Sequence, residues 1–328
     1  MSLTSKRVLV TGAGGFIGSH LSERLVHEGA HVRALVHYNA LGSRGWLDRS
    51  DLVDEMEVVA GDVTDRDSVV RAVGGVDIVF HLASLIAIPY SYRAPESYVR
   101  VNVGGALNVA QAARDADVER LVHTSTSEVY GTAQTVPITE AHPLQAQSPY
   151  AASKIGADKI VESFVRSFSL PAVTVRPFNT YGPRQSLRAV IPTIIAQCLA
   201  EKVVRLGNTS PTRDLNYVTD TVAGFIRAAE APAAAIGQTF NLGTGREISV
   251  GDLALLVGRL CGTSAEVVFD DGRARVEGSE VERLLSDASR ARDGLGWRPE
   301  VSLEDGLART IDWFRQHGDV SRAGDFVV

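Results

Sequence analysis

The sequence predicts an α/β protein: a doubly wound parallel sheet built mainly from its first half, with a smaller α/β lobe towards the C-terminus. Three observations carry this expectation. Short β-branched apolar runs alternate with longer amphipathic segments from residue 7 onward, the first run ends in the glycine-rich turn "VTGAGGFIG" (10–18), and the alternation loosens after about residue 178. Strands that alternate with helices pair in parallel through crossovers on both faces, and ligands then collect at the carboxyl ends of the strands.

Taken in order, "RVLVTG" reads as a strand, "FIGSHLSERLVHEG" as a helix ending at Gly29, and "HVRALVH" and "MEVVAGD" as strands. "DSVVRAVGG" is a helix, "VDIVFHLAS" a strand, "ESYVRVNVGGALNVAQAARDA" one long helix, and "RLVHTSTS" a strand that runs into clustered hydroxyls and a carboxylate. "SPYAASK" (148–154) opens the next helix, with Ser148 as cap and Pro149 at the first helical position. Beyond 178, "RAVIPTIIAQCLAEK" and "DTVAGFIRAAEAP" are helices, "GQTFNLGTG" is a strand and turn, and "SLEDGLARTIDWFRQHG" is a terminal helix with a serine cap. The expected division is a dinucleotide-binding domain over 1–178, to which 214–242 return, and a second lobe over 179–328 with an interleaved boundary.

Composition excludes several classes of function. With 328 residues, 45% of them hydrophobic, the chain can bury a substantial core. Its net charge of −6 comes from interspersed acids and bases, so there is no basic footprint for nucleic acid. The N-terminus enters a strand without a signal-peptide core, and no apolar run is long enough to span a bilayer, so a cytoplasmic protein without a membrane partner is expected. Cys198 and Cys261 lack metal-site or CxxC spacing and read as free thiols, with no metal expected.

The glycine-rich turn is the first chemical motif. A strand leading through Gly12, Gly15 and Gly18 into a helix lets backbone approach a pyrophosphate at the positive helix end, although the spacing is G-x-x-G-x-x-G and a plain turn uses the same residues. The second strand ends in His37, Tyr38 and Asn39, with no carboxylate to repel a 2′-phosphate. Arg44 is either a cation for that phosphate or a solvated loop residue, which leaves NAD and NADP both open. Asp62 and Val63 follow the third strand, where an adenine would lie, or form a simple turn. Tyr150 and Lys154 stand one helical turn apart, so the ammonium is expected to lower the tyrosine pKa from roughly 10 towards neutrality and make it a general base.

Together "TGAGGFIG", "GDVTD", "HLAS", "VNVGGALNV", "STSEVYG", "YAASK", "RPFNTYGPRQ", "RDLNYVTD" and "LGWRP" resemble the extended short-chain dehydrogenase/reductases, in particular their NAD-dependent nucleotide-sugar epimerases and dehydratases. The resemblance covers essentially the whole chain. It implies a Rossmann-like fold, with NAD or NADP tightly bound and regenerated in each turnover. Cofactor contacts then fall on Gly12, Gly15, Phe16, Ile17, Gly18, His37, Asn39, Asp62, Val63, Leu82, Ala83, Tyr150, Lys154 and Pro177. The substrate, a nucleotide sugar, falls to Ser84, Thr126, Asn179, Arg213 and Arg275. The helices around 96–116 and 149–168 would pair in a homodimeric four-helix bundle.

The resemblance also assigns the cluster after "RLVH". Thr126 supplies a hydroxyl to the sugar, Tyr150 is the base, and Lys154 holds the nicotinamide ribose. An epimerase needs no more than these, which leaves Glu128 surplus. A 4,6-dehydratase oxidises carbon 4, removes the proton of carbon 5 with a carboxylate, expels water from carbon 6 and returns hydride there. Thr126-Ser127-Glu128 resembles the Thr-Ser-Glu of GDP-mannose 4,6-dehydratases, whereas dTDP-glucose dehydratases usually carry Asp in the middle. The text around it, with "YNALGSRGWLD" and "SPTRDLNYVTDTVAGF", resembles amino-sugar 4,6-dehydratases of the legionaminic-acid type, which implies an N-acetylhexosamine. The expectation is therefore a nucleotide-sugar 4,6-dehydratase. The alternatives are a 4-epimerase, a hexuronate decarboxylase, which carries a similar "STSEVYG", or a non-enzymatic dinucleotide-binding regulator. Glu128 could also simply cap its turn. Arg184, Arg205 and Arg273 read as solvated, and His81 and His123 as core histidines.

Overall fold

The structure is a computed structural model that describes residues 2–201, 203–275 and 278–318; residues 319–328 of the expected second lobe lie outside it. Strands β1 (Arg7–Thr11), β2 (His31–His37), β3 (Glu57–Gly61), β4 (Ile78–His81), β5 (Arg120–Thr124) and β6 (Ala172–Pro177) come first. They alternate with helices α1 (Phe16–His27), α2 (Arg66–Val73), α3 (Ile88–Arg93), α4 (Pro95–Tyr98), α5 (Gly105–Asp115) and α6 (Pro149–Phe168). The remainder supplies β7 (Asn179–Tyr181), α7 (Val190–Ala200), β8 (Val203–Leu206), β9 (Thr212–Tyr217), α8 (Val218–Glu230) and β10 (Thr239–Leu242). It ends with β11 (Glu247–Ser249), α9 (Val250–Cys261), β12 (Glu266–Phe269), β13 (Arg283–Leu284), α10 (Ser289–Leu295) and α11 (Leu303–His317).

The main sheet has the order β10-β6-β5-β4-β1-β2-β3, with every pair parallel. It is the doubly wound α/β sheet that the alternating pattern predicts. Period-two alternation sorts its side chains. Val8, Val10, Val122 and Val175 join one core with Leu21 and Leu25 of α1 and Phe225 of α8, whereas Leu9, Leu35, Val79 and Leu121 join another with Val69 of α2, Val109 of α5 and Val161 of α6. Both faces are buried, which explains why these strands are almost wholly apolar. The strand order reverses between β1 and β4, and this is where such sheets open a ligand crevice.

A smaller mixed sheet centres on β9, with β7 and β13 parallel to it and β11 antiparallel; β8 and β12 form a separate parallel pair. Most of these strands are short and were not visible as periodic runs. The expected long helix over 96–116 differs as well: between α4 and α5 it widens into a π-helix at Val99–Gly104. The helix caps agree with the sequence. Ser148 Oγ accepts from Ala151 N at 3.1 Å with Pro149 at the first position, and Ser302 Oγ accepts from Asp305 N at 3.1 Å.

Candidate active site

The glycines of the first turn are required by close approach. Gly12 has φ +71°, and a Cβ there would lie 2.9 Å from Ala83 N; a Cβ on Gly18 would lie 2.2 Å from the Gly12 carbonyl. The end of β1, the start of α1 and the end of β4 therefore meet as bare backbone. Gly15 caps α1 without a side chain, so the first-turn N–H groups at Phe16 and Ile17 meet no capping group. The N–H groups of Leu82 and Ala83 both donate to Thr11 Oγ1 at 3.1 Å, which pins the neighbouring strand end. These residues fit a dinucleotide pyrophosphate.

The flanking positions form the cleft beside it. His37, Tyr38, Asn39, Ser43 and Arg44 line a cavity of about 330 Å³ over the ends of β2 and β3. Asn39 is occupied in shaping that loop: its Oδ1 accepts from Leu41 N and Ser43 N, and its Nδ2 donates to the His37 and Ser43 carbonyls. Arg44 is no free cation, since Nε donates to Asp48 Oδ1 at 2.8 Å. Asp62 Oδ1 accepts from Thr64 N, and the carbonyl of Val63 accepts from Asn108 Nδ2 at 2.9 Å. Pro177 ends β6 beside Leu242 of β10, and Ser84 folds back towards the Leu82 carbonyl.

Thr126 caps a 3-10 turn over Ser127–Tyr130, its Oγ1 accepting from Glu128 N at 3.2 Å. The turn buries Ser127 and Glu128 at the carboxyl end of β5. Glu128 is only 8% exposed, yet among the described residues no hydrogen bond reaches its carboxylate. Tyr150 and Lys154, in the first two turns of α6, are also buried. The Thr126 hydroxyl lies against the Tyr150 phenol, and both Glu128 and Arg213 are within electrostatic reach of the group. The structure thus brings Thr126, Glu128, Tyr150 and Lys154 together.

One sequence expectation is corrected here. Tyr150 has its pKa raised, because burial strips solvent from the phenolate and the Glu128 charge adds to the rise; only the Thr126 hydroxyl opposes it. Lys154 makes its hydrogen bond elsewhere. Its Nζ donates to the Thr124 carbonyl at 2.6 Å, and burial pulls its pKa down to about 8 against the support of Asp158.

On the substrate side, Asn179 Oδ1 is buried with no hydrogen-bond partner among the described residues, where β7 begins. Arg213 and Arg275 converge on Glu280 Oε1, at 3.1 and 3.5 Å. Arg184, expected to be solvated, is instead held by both carboxylate oxygens of Glu23, at 3.0 and 2.9 Å. Arg273 is also paired, with Asp270 at 3.0 Å. His81 and His123 are core residues stacked 5.8 Å apart, both kept neutral by burial.

Two participants were not singled out from the sequence. Asn102, in the π-helix, donates to the Leu85 carbonyl at 3.0 Å and to Ser153 Oγ at 2.9 Å, and accepts from Leu85 N at 2.8 Å. It ties the loop after β4 to α6; an asparagine inside a helical pattern was the available signal. Tyr98 packs edge-on against Tyr150 at 6.2 Å.

Comparison with known proteins follows this geometry. Residues 9–310 match the family model described as GDP-mannose 4,6 dehydratase. The chain is 36% identical over 315 residues to the UDP-glucose 4-epimerase of Mycolicibacterium smegmatis, covering 94% of this chain and 98% of that one. It is 30% identical over 321 residues to the dTDP-D-glucose 4,6-dehydratase of Bos taurus, covering 95% and 90%. The crystal structure of DesIV, a dTDP-glucose 4,6-dehydratase from Streptomyces venezuelae with NAD bound, superposes with a TM-score of 0.86 at 31% identity, covering 95% of this chain and 97% of that one. With the parallel sheet, the glycine turn and the Tyr150–Lys154 helix in place, the chain belongs to the NAD-dependent epimerase/dehydratase family of extended short-chain dehydrogenase/reductases, matching its GDP-mannose 4,6 dehydratase model.

Proposed function

We propose that this enzyme is a nucleotide-sugar 4,6-dehydratase that yields a 4-keto-6-deoxy sugar. The observation that carries the reading is Glu128, a buried carboxylate without a hydrogen-bond partner among the described residues, beside Thr126 and Tyr150. Epimerisation at carbon 4 requires a hydroxyl, a base and a cation, and gives such a carboxylate no work. A bound nicotinamide cofactor supplies reversible hydride acceptance, oxidising carbon 4 and later reducing carbon 6.

The chain's own residues then divide the proton work. Thr126 orients the carbon 4 hydroxyl, and Tyr150 takes its proton. Lys154, its ammonium moored to the Thr124 carbonyl, holds the ribose side of the cofactor. Glu128 takes the carbon 5 proton, which the neighbouring carbonyl has made acidic, and that proton leaves with the carbon 6 hydroxyl as water; when hydride returns to carbon 6, a proton added at carbon 5 balances the one Tyr150 took, so the net change is the loss of one water. Ser127, in the same turn, provides a hydroxyl in place of an acid. Arg213 and Arg275 hold the diphosphate, and Asn179 and Ser84 the sugar.

Further details belong to the same proposal. An N-acetylhexosamine is favoured by the resemblance around "YNALGSRGWLD". NAD is favoured over NADP because Asp48 already occupies Arg44. A homodimer is favoured by Tyr90, Val99 and Leu107, exposed along the α3–α5 stretch.

The 4-epimerase remains the second reading, because the relative from Mycolicibacterium smegmatis carries that name. Glu128→Gln separates the two. A dehydratase variant oxidises carbon 4 in a single turnover but loses no water, whereas an epimerase variant keeps wild-type turnover.

A further inference from the structure

Behind Thr126, Tyr150 and Lys154 lies a buried polar network that the proposed reaction does not use. Its centre is Asp158, one turn beyond Lys154 on the same side of α6 and only 6% exposed. Three donors converge on this carboxylate: Ser125 Oγ at 2.8 Å, Arg176 Nη2 at 2.9 Å and His123 Nε2 at 3.1 Å. Arg176 Nη1 continues to the Tyr130 hydroxyl at 2.9 Å, which donates to Asn241 Oδ1 at 2.8 Å. One carboxylate on α6 therefore gathers β5 and β6 directly, and β10 through Tyr130.

The mechanical consequence concerns the site. Ser125 immediately precedes Thr126, while α6 carries Tyr150 and Lys154 in its first two turns. The Ser125–Asp158 bond and the Lys154–Thr124 bond fasten the strand end that leads into Thr126 to the helix that carries Tyr150. Displacing such groups by an ångström costs roughly a hundredfold in rate.

The electrostatic consequence concerns Lys154. The groups acting on it are the Thr124 carbonyl, His81 from β4, His123 from β5 and Asp158 from α6 itself. Both histidines are neutral, and Arg176 is spent on Asp158 and Tyr130. Of these groups only Asp158 brings a negative charge that supports the buried ammonium.

We propose that Asp158 is a positioning residue for the reaction, its carboxylate locking the Tyr150–Lys154 helix to the Thr126 strand end and serving as the counter-charge of Lys154. This rests on the reading that Tyr150 and Lys154 carry the chemistry.

The test follows Lys154 directly. In full-length protein labelled with ¹³C at lysine Cε, the Lys154 resonance, assigned with Lys154→Met, is titrated by NMR alongside kcat and KM from pH 6 to 10. Asp158→Asn is expected to lower the Lys154 midpoint by about one unit. The alkaline fall of kcat moves with it, and kcat drops roughly a hundredfold while KM stays within about threefold. An unmoved midpoint with near wild-type kcat overturns the proposal.

Ser125→Ala removes the tie without unpairing a charge, so it decides the matter if Asp158→Asn does not fold. Its kcat is expected to fall about tenfold while the melting temperature drops by only a few degrees; wild-type kcat in this variant overturns the positioning role. Absence of wild-type turnover on every nucleotide sugar would count against the proposed function instead, and the titration, which needs no substrate, still decides the role of Asp158.

Discussion

Lys154 Nζ donates to the Thr124 carbonyl at 2.6 Å, so the ammonium one turn from Tyr150 is moored to the last residue of β5. Burial lowers its pKa to about 8. The amine is charged below that value and neutral above it, so a rate that needs the ammonium falls as pH rises through about 8. A kcat profile from pH 6 to 10 checks this, and Lys154→Met is expected to cost roughly 10²–10⁴-fold in kcat.

Tyr150 presents the opposite problem, because burial and the Glu128 charge both disfavour phenolate. Under the proposed mechanism the phenol would have to ionise with the oxidised nicotinamide cofactor bound, so its ionisation is expected to be coupled to cofactor binding. A spectrophotometric titration of phenolate absorbance near 295 nm, comparing wild type with Tyr150→Phe, is expected to show a tyrosine ionising at lower pH with the oxidised cofactor than without it. Tyr150→Phe should also lose roughly 10²–10⁴-fold in kcat while binding the cofactor normally.

Gly18 gives a sharper structural prediction. A methyl group there meets the Gly12 carbonyl at 2.2 Å, backbone against backbone. Gly18→Ala is expected to destabilise the fold by about 1–3 kcal/mol and abolish cofactor retention, measured by thermal melting and by the nucleotide released on denaturation.

The proposed preference for NAD rests on Asp48 holding Arg44. With Asp48→Ala the guanidinium is released towards a 2′-phosphate, and calorimetry on cofactor-stripped protein should show NADP gaining roughly five- to tenfold relative to NAD. Arg44→Ala should leave NAD affinity unchanged.

Asp158 predicts the acid limit of stability. Burial alone would raise its pKa, but hydrogen bonds from His123 and Ser125 and the Arg176 charge bring it down to about 2. Its stabilising contribution is complete above the unfolded value of roughly 4 and is lost as pH falls towards about 2. Urea midpoints between pH 2 and 5 are expected to drop across that window.

Much of the main sheet was legible because two-sided burial writes itself as apolar runs such as "RVLVTG" and "VDIVFH", punctuated by glycines at close contacts. The lobe was harder to read, since β7, β11 and β13 span two or three residues and carry no period of their own. Within the site, Thr126, Glu128, Tyr150 and Lys154 stood out as polar residues at a strand end or in a known motif. Asp158 did not. Its partners Ser125, His123 and Arg176 lie 33, 35 and 18 positions away and meet only once the sheet is assembled. The tyrosine pKa was misread for a related reason: helical spacing places Lys154 near Tyr150 but is silent about the Thr124 carbonyl that claims the ammonium.

The central claim is that Glu128 makes this enzyme a dehydratase, and the mass of the product tests it most directly. Purified enzyme is incubated with a panel of nucleotide hexoses, N-acetylhexosamines and hexuronates, with NAD and NADP supplied separately. A product lighter by one water, roughly 18 mass units, without net reduced cofactor, is the predicted result. A product of unchanged mass with inverted configuration at carbon 4 would contradict it and leave Glu128 a structural residue of an epimerase.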